Sequence, residues 1–340
     1  MPNGLAPGKL PPALLKDLLR QSATADARLL VGPRLGEDAA VIDMGDRLLV
    51  AAADPITFAT DAIGYYAVTV NANDIAVMGG TPRWFLATLL LPERGTTPDM
   101  VRDIFAQIRQ ACDTLGVTLA GGHTEVTVGL TRPILSGHML GEVTRDRLVT
   151  SAGAQVGDTI LLTKGFPLEG VTIMARERAA QLRDGGFAQH DIEQWQQWLF
   201  TPGISVLQDA QVLQEAVEVH AMHDPTEGGI VTALHELAEA SGVGLHIQAD
   251  RLPLLEAGKQ LCAAFHLDPL GTLASGALLA TVPAAQANQA VSACQGVGIA
   301  CYAIGTVVAA TAERLLQSDT DTSALPTFIR DEIVKMFPST

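Results

Sequence analysis

The chain has 340 residues, enough for two domains of ordinary size, each with its own core. Its 37 acidic side chains outnumber 22 basic ones, a formal charge of −15, and a field of that sign argues against nucleic-acid and anionic-membrane partners. Apolar residues make up 48% and aromatic ones only 4%, the balance of a mixed α/β protein with close helix–sheet packing.

Residues 1–12 are rich in Pro and Gly and read as a flexible arm. They lack a basic segment followed by a continuous apolar one, and no run of about 18 apolar residues occurs anywhere, so a cytoplasmic location is expected. Leu14, Leu15, Leu18 and Leu19 share one face of a short helix. A loop from Gly32 to Asp38 leads into Ala39–Ile42, and the apolar run Arg47–Ala53 reads as a strand ending at Asp54-Pro55. A helix over 61–78 stops at Gly79-Gly80 and Pro82. Trp84–Leu91 reads as a strand, and Val101, Ile104, Phe105, Ile108, Cys112 and Leu115 recur at helical spacing. Val117–Ala120 and Ile134–Val143 read as strands flanking Gly121-Gly122-His123-Thr124.

A second domain is expected from about residue 156, so that 1–155 and 156–340 form the two halves. It opens on the strand Thr159–Thr163 and continues with helices over 169–182, 190–199 and 203–217. Strands at 219–222, 243–248, 277–282 and 299–307 then alternate with helices following Gly229 and at 253–265 and 284–296. Adjacent strands and strand–helix–strand crossovers are mixed, which makes the fold class α+β. Cys112, Cys262, Cys294 and Cys301 are scattered without a CxxC pair and read as small buried hydrophobes.

Five polar clusters carry the chemistry. Gly36-Glu37-Asp38-Ala39-Ala40 is a turn with room behind it for a ligand, and Asp54 sits at the exit of a wholly apolar strand. Asn71 and Asp74, three apart, share one helix face, an oxygen-rich surface suited to Mg²⁺. Gly121-Gly122 with the hydroxyl of Thr124 can offer N–H donors to phosphate oxygens. His223-Asp224-Pro225-Thr226-Glu227-Gly228-Gly229 precedes a helix, whose N-terminus attracts anions; a plain helix cap by Asp224 or Thr226 is equally compatible.

The order Asp-Ala-Ala, strand-Asp, Asn-x-x-Asp-x-x-x-Met-Gly-Gly-x-Pro, Gly-Gly-x-Thr and Asp-Pro-Thr-x-Gly-Gly, from about Leu35 to Val307, resembles the aminoimidazole-ribonucleotide synthetase (PurM-like) superfamily. Within it, the Asp-Pro-Thr-x-Gly-Gly variant is most like the hydrogenase-maturation family HypE. The resemblance implies two PurM-like α/β domains, the first giving strands to the β-barrel of a homodimer. It implies ATP as substrate with Mg²⁺, Asp38, Asp54 and Asp74 as catalytic and metal-ligating carboxylates, and Asp224 as a further ligand. Asn71, Gly79, Gly80, Gly121, Gly122, Thr124, Asp224 and Thr226 would contact the nucleotide. Such families activate an oxygen by phosphorylation, on a small acceptor or a maturation partner protein; a kinase like thiamine-monophosphate kinase and a non-catalytic nucleotide-binding subunit are the alternatives. The chain departs from HypE in three places. Leu10–Arg34 replaces the early Gly-rich segment, His123 stands where an acidic residue is usual, and Ser339-Thr340 stands where HypE has a carbamoyl-carrying cysteine, so ATP chemistry on a separate acceptor is expected.

Overall fold

The computed structural model describes Leu5 and residues 8–22, 26–309 and 314–337, so Ser339-Thr340 and parts of the N-terminal arm lie outside the described residues. The chain forms two compact units. The smaller comprises Asp26–Gly32 and Ala39–Leu148; the larger comprises Met1–Ala25, Pro33–Asp38 and Val149–Thr340. The first helix, α1 (Pro12–Ser22), belongs to the larger unit.

The smaller unit contains β1 (Leu29–Val31), β2 (Ala40–Asp43), β3 (Leu48–Ala52), β4 (Pro55–Ile56), α2 (Ile63–Val77), β5 (Thr81–Pro92), α3 (Pro98–Leu115), β6 (Thr118–Thr127) and β7 (Ile134–Val143). Its seven strands form one sheet in the order β1-β2-β3-β7-β5-β6, with β4 beside β7. Only β5 and β6 run parallel. Burial alternates along β3, where Leu48, Val50 and Ala52 face inward, and along β7, where Leu135, Met139 and Val143 do so. Helix α2 is buried on nearly every side, as its all-round apolar sequence requires, and packs against the sheet and α3. Helix α3 is amphipathic, with Ile104, Ile108, Ala111 and Cys112 buried and Thr97 capping its first turn through the Met100 N–H.

The larger unit continues with β8 (Thr159–Thr163), α4 (Leu168–Glu177), α5 (Ala179–Asp184), α6 (Gln189–Gln197), α7 (Leu207–Ala216), β9 (Ala221–His223), α8 (Gly229–Ser241) and β10 (Gly244–Gln248). It closes with α9 (Glu256–Phe265), β11 (Leu279–Val282), α10 (Ala287–Gly296), β12 (Cys301–Val308), β13 (Leu315–Gln317) and β14 (Thr322–Ala324). The sheet order is β14-β13-β10-β12-β8-β11-β9. Ile230, Leu234 and Leu237 of α8 share one core with Ile160, Leu162, Leu245, Leu279 and Ile304 of the strands.

The helix expected over 169–182 is two helices, because Arg178 leaves helical geometry at φ −126°. Its guanidinium donates to the Met336 carbonyl and lies 4.9 Å from the Phe337 ring centre. Helix α1 joins the larger unit through Lys16, which pairs with Glu239 of α8. The four cysteines are all buried and unbridged, as their spacing implied. No closed barrel forms from either sheet among the described residues.

Candidate functional site

In the smaller unit, β3 delivers Asp54 to the loop that follows it. The Asp54 N–H donates to Asn71 Oδ1 at 2.9 Å, and Asn71 Nδ2 donates to the Asp54 carbonyl at 3.1 Å. The same amide nitrogen reaches the Ala67 carbonyl at 2.8 Å, one turn back on α2. Asn71 is fully buried, and its amide holds the backbone of Asp54. A Cβ on Gly137 would sit 2.3 Å from Asn71 Nδ2, so β7 can pass the amide only with glycine there. Asp74, 3% exposed, lies one turn further along the same face of α2.

The paired glycines play structural parts. Gly79 and Gly80 end α2, their N–H groups donating to the Ala76 and Ile75 carbonyls, which is a helix stop. Gly121-Gly122-His123-Thr124, read from sequence as a loop, lies inside β6 and pairs in parallel with Leu86–Leu89. A Cβ on Gly122 would stand 1.9 Å from the Ala87 carbonyl oxygen, so this glycine is set by strand approach. His123 is exposed and sits 3.0 Å from Glu125 on the same strand face.

In the larger unit, Asp38 is half of a buried ion pair. His223, the last residue of β9, places Nδ1 2.8 Å from Asp38 Oδ1 and Nε2 3.2 Å from Glu236 Oε2. Ser151 Oγ lies 3.1 Å from Asp38 Oδ2, and Lys9 Nζ lies 3.3 Å from Glu236 Oε1. Burial alone would depress the His223 pKa, but Asp38 and then Glu236 hold it well above the ordinary value, so the ring is an imidazolium between two carboxylates. Asp38, expected as a magnesium ligand, here has a protein cation and a hydroxyl as neighbours.

The Asp224–Gly228 loop leads into α8, and Asp224 is 1% exposed. Lys9 Nζ donates to Thr226 Oγ1 at 3.3 Å. The anion position at the start of α8 is filled from within the chain: the Gly228 N–H donates to Asp331 Oδ2 at 2.6 Å, while Asp331 Oδ1 accepts from the Ile333 N–H at 2.8 Å. Burial, opposed by these hydrogen bonds, pushes the Asp331 carboxyl up to about 7. Glu169, in the first turn of α4, is also pushed up to about 7, by burial first and by the Asp331 and Glu227 charges beyond it. Ser275 hydrogen-bonds it through hydroxyl and backbone, while Glu169 Oε2 is buried with no hydrogen-bond partner among the described residues. Of these groups His223 stood inside a motif read from the sequence. Ser151, Glu169, Glu236 and Asp331 carried no local signal, being brought together only by the fold.

Among the described residues, no three His, Cys, Asp or Glu side chains are grouped so as to hold a metal ion. Magnesium seldom needs such a cage, since it keeps waters and takes one or two carboxylates plus substrate phosphates.

Residues 36–143 match the N-terminal domain of AIR synthase related protein, and residues 155–316 match its C-terminal domain. A protein of Methanocaldococcus jannaschii named for hydrogenase expression and formation is 30% identical over 82% of this chain and 81% of its own length. The chain belongs to the AIR synthase related family. Within that family, the selenide, water dikinase of Aeromonas hydrophila is 31% identical over 73% of this chain and 70% of its own. The crystal structure of hydrogenase maturation protein HypE in complex with ATP superimposes with a TM-score of 0.68 at 22% identity, covering 91% of this chain and 89% of that one. This AIR synthase related chain shares the mixed α/β, two-sheet architecture of that structure. No helix among its described residues is long and apolar enough to cross a membrane.

Proposed function

We propose that this AIR synthase related chain is an ATP-dependent enzyme that, like HypE, activates an oxygen of a small or protein-borne acceptor by phosphorylation. The observation that carries the reading is the clamp of Asn71 on Asp54. With both backbone polar groups of Asp54 bound to one buried amide, its carboxylate starts from a fixed point, as a ligand for a phosphate-borne cation must. Asp74 shares the helix face of Asn71, so a second carboxylate is tied to the same element. Asp54 and Asp74 would hold the magnesium of Mg·ATP, which neutralises phosphate charge during transfer. Asp38 enters as the partner of His223, securing the Pro33–Asp38 loop to the larger unit.

The smaller unit supports a homodimer. Edge strand β6 is exposed along almost its whole length, and Leu49, Leu86, Leu90 and Leu140 lie on the less buried side of the sheet. Long edges and apolar sheet faces of this kind are normally covered. The reading of the site is tested by calorimetric titration of Mg·ATP and by ATP turnover with candidate acceptors. Asp74→Asn is expected to weaken Mg·ATP by about 1.5–3 kcal/mol, the scale of a hydrogen bond to a charged group. Unchanged affinity would remove Asp74 from the site.

A further inference from the structure

Helix α1, the Pro33–Glu37 loop and the end of α8 line a cavity of about 290 Å³ in the larger unit. That volume is near the small end of ordinary ligand pockets. Three cations, Lys16, Arg20 and Arg34, face two carboxylates, Glu37 and Glu239. Leu19, Pro33, Leu35 and Ala240 supply apolar wall. The chain as a whole is strongly acidic, so a cavity with an excess of cations is against its general field.

The carboxylates at this cavity are already engaged. Glu239 pairs with Lys16 and lies 3.3 Å from Arg314 Nη2, so two cations share it. Glu37 accepts from the Ser151 N–H at 3.3 Å, and its carboxyl is held above the ordinary range by burial and then by the neighbouring Asp38 charge. Arg34 acts on Glu37 only as a nearby charge. Arg20 makes no ion pair among the described residues. Two guanidiniums thus border a walled space with donors to spare. A guanidinium fork matches the paired oxygens of a phosphate or carboxylate in a way that a lysine does not.

We propose that the cavity between α1, the Pro33–Glu37 loop and the end of α8 binds a small organic anion, a phosphate monoester or a carboxylate with an apolar body, through Arg20 and Arg34. The anionic head would take the two forks, and the apolar body would lie against Leu19, Leu35 and Ala240. Binding there is independent of Asp54 and Asp74, and so stands apart from the nucleotide reading above.

The test is isothermal titration of the full-length protein with inorganic phosphate, phenyl phosphate and hexanoate at constant ionic strength, with chloride as control. Saturable binding of at least one organic anion is expected, phenyl phosphate binding more tightly than inorganic phosphate because the walls are apolar. The head group that saturates separates a phosphate ligand from a carboxylate one. The double variant R20A/R34A should lose at least tenfold in affinity, and R20K/R34K should also weaken, since charge remains but the fork is gone. Both pairs lie on exposed side chains, and a thermal melt run beside the titration checks that each variant is folded. No saturable binding of any of the three probes would overturn the proposal, as would unchanged affinity in R20A/R34A or in R20K/R34K. Mg·ATP is titrated in the same samples: failure of that titration alone would count against the nucleotide reading and leave the anion result to stand.

Discussion

Glu169 illustrates how much of this chemistry belongs to single residues. Its carboxyl is 4% exposed, held by Ser275 and close to two further acids, so the charged form is disfavoured in the fold. The sign follows from linkage. Below the ordinary glutamate pKa the group is protonated both folded and unfolded, and it contributes nothing to pH dependence. Above that value the unfolded chain ionises freely while the folded one resists, so stability falls as pH rises from 4.5 to about 7. Glu169→Gln removes the ionisation, and its stability relative to the parent should rise across that window by on the order of 3 kcal/mol. Urea unfolding at pH 4.5 and pH 8 measures the difference; a variant equally destabilised at both would show that Glu169 is not held neutral. None of this was legible from the sequence, where Glu169 is one acid at a helix start. The imidazolium was half legible: His223 adjoins the Asp224 motif, but its partners Asp38 and Glu236 lie 185 and 13 positions away.

Periodicity identified the elements whose burial is one-sided. Helix α3 and strands β3, β5 and β7 fall within a few residues of their expected spans because side-chain alternation reports a single buried face. Strand β6 was legible only over its start, Val117–Ala120, because two adjacent glycines read as a turn, whereas here the missing side chain at Gly122 serves close strand pairing. Strands β13 and β14 escaped, each having only three residues, too few for a pattern. Gly122→Ala should therefore act on the sheet. Its Cβ would overlap the Ala87 carbonyl, forcing β6 away from β5 at a cost of about 1–3 kcal/mol or more. Chemical denaturation followed at Trp84, which pairs with Thr118 across the same strands, provides the measurement. A variant as stable as the parent would mean that β6 is not packed in this register.

For the molecule as a whole, light scattering at micromolar concentration is expected to give twice the 35.7 kDa chain mass, through the smaller unit; a monomeric mass would contradict the dimer. The sequence placed one boundary near residue 155, since that is where a new strand pattern begins. The compact units are interleaved along the chain, with α1 and Pro33–Asp38 in the larger one. Charged pairs join these segments to α8 and β9, and charge pairing between distant segments leaves no periodic trace. The interleaving also has a consequence for biogenesis. Lys9 and Lys16 find their partners Glu236 and Glu239 only 227 and 223 positions later. At synthesis rates of about 5–20 residues per second, the first helix waits roughly 10–45 s after emerging for the helix it docks on. All of the smaller unit, Asp26–Gly32 and Ala39–Leu148, is synthesised during that interval. Leu15 and Leu19, the half-buried leucines of α1, meanwhile stay open to solvent until α8 has been made.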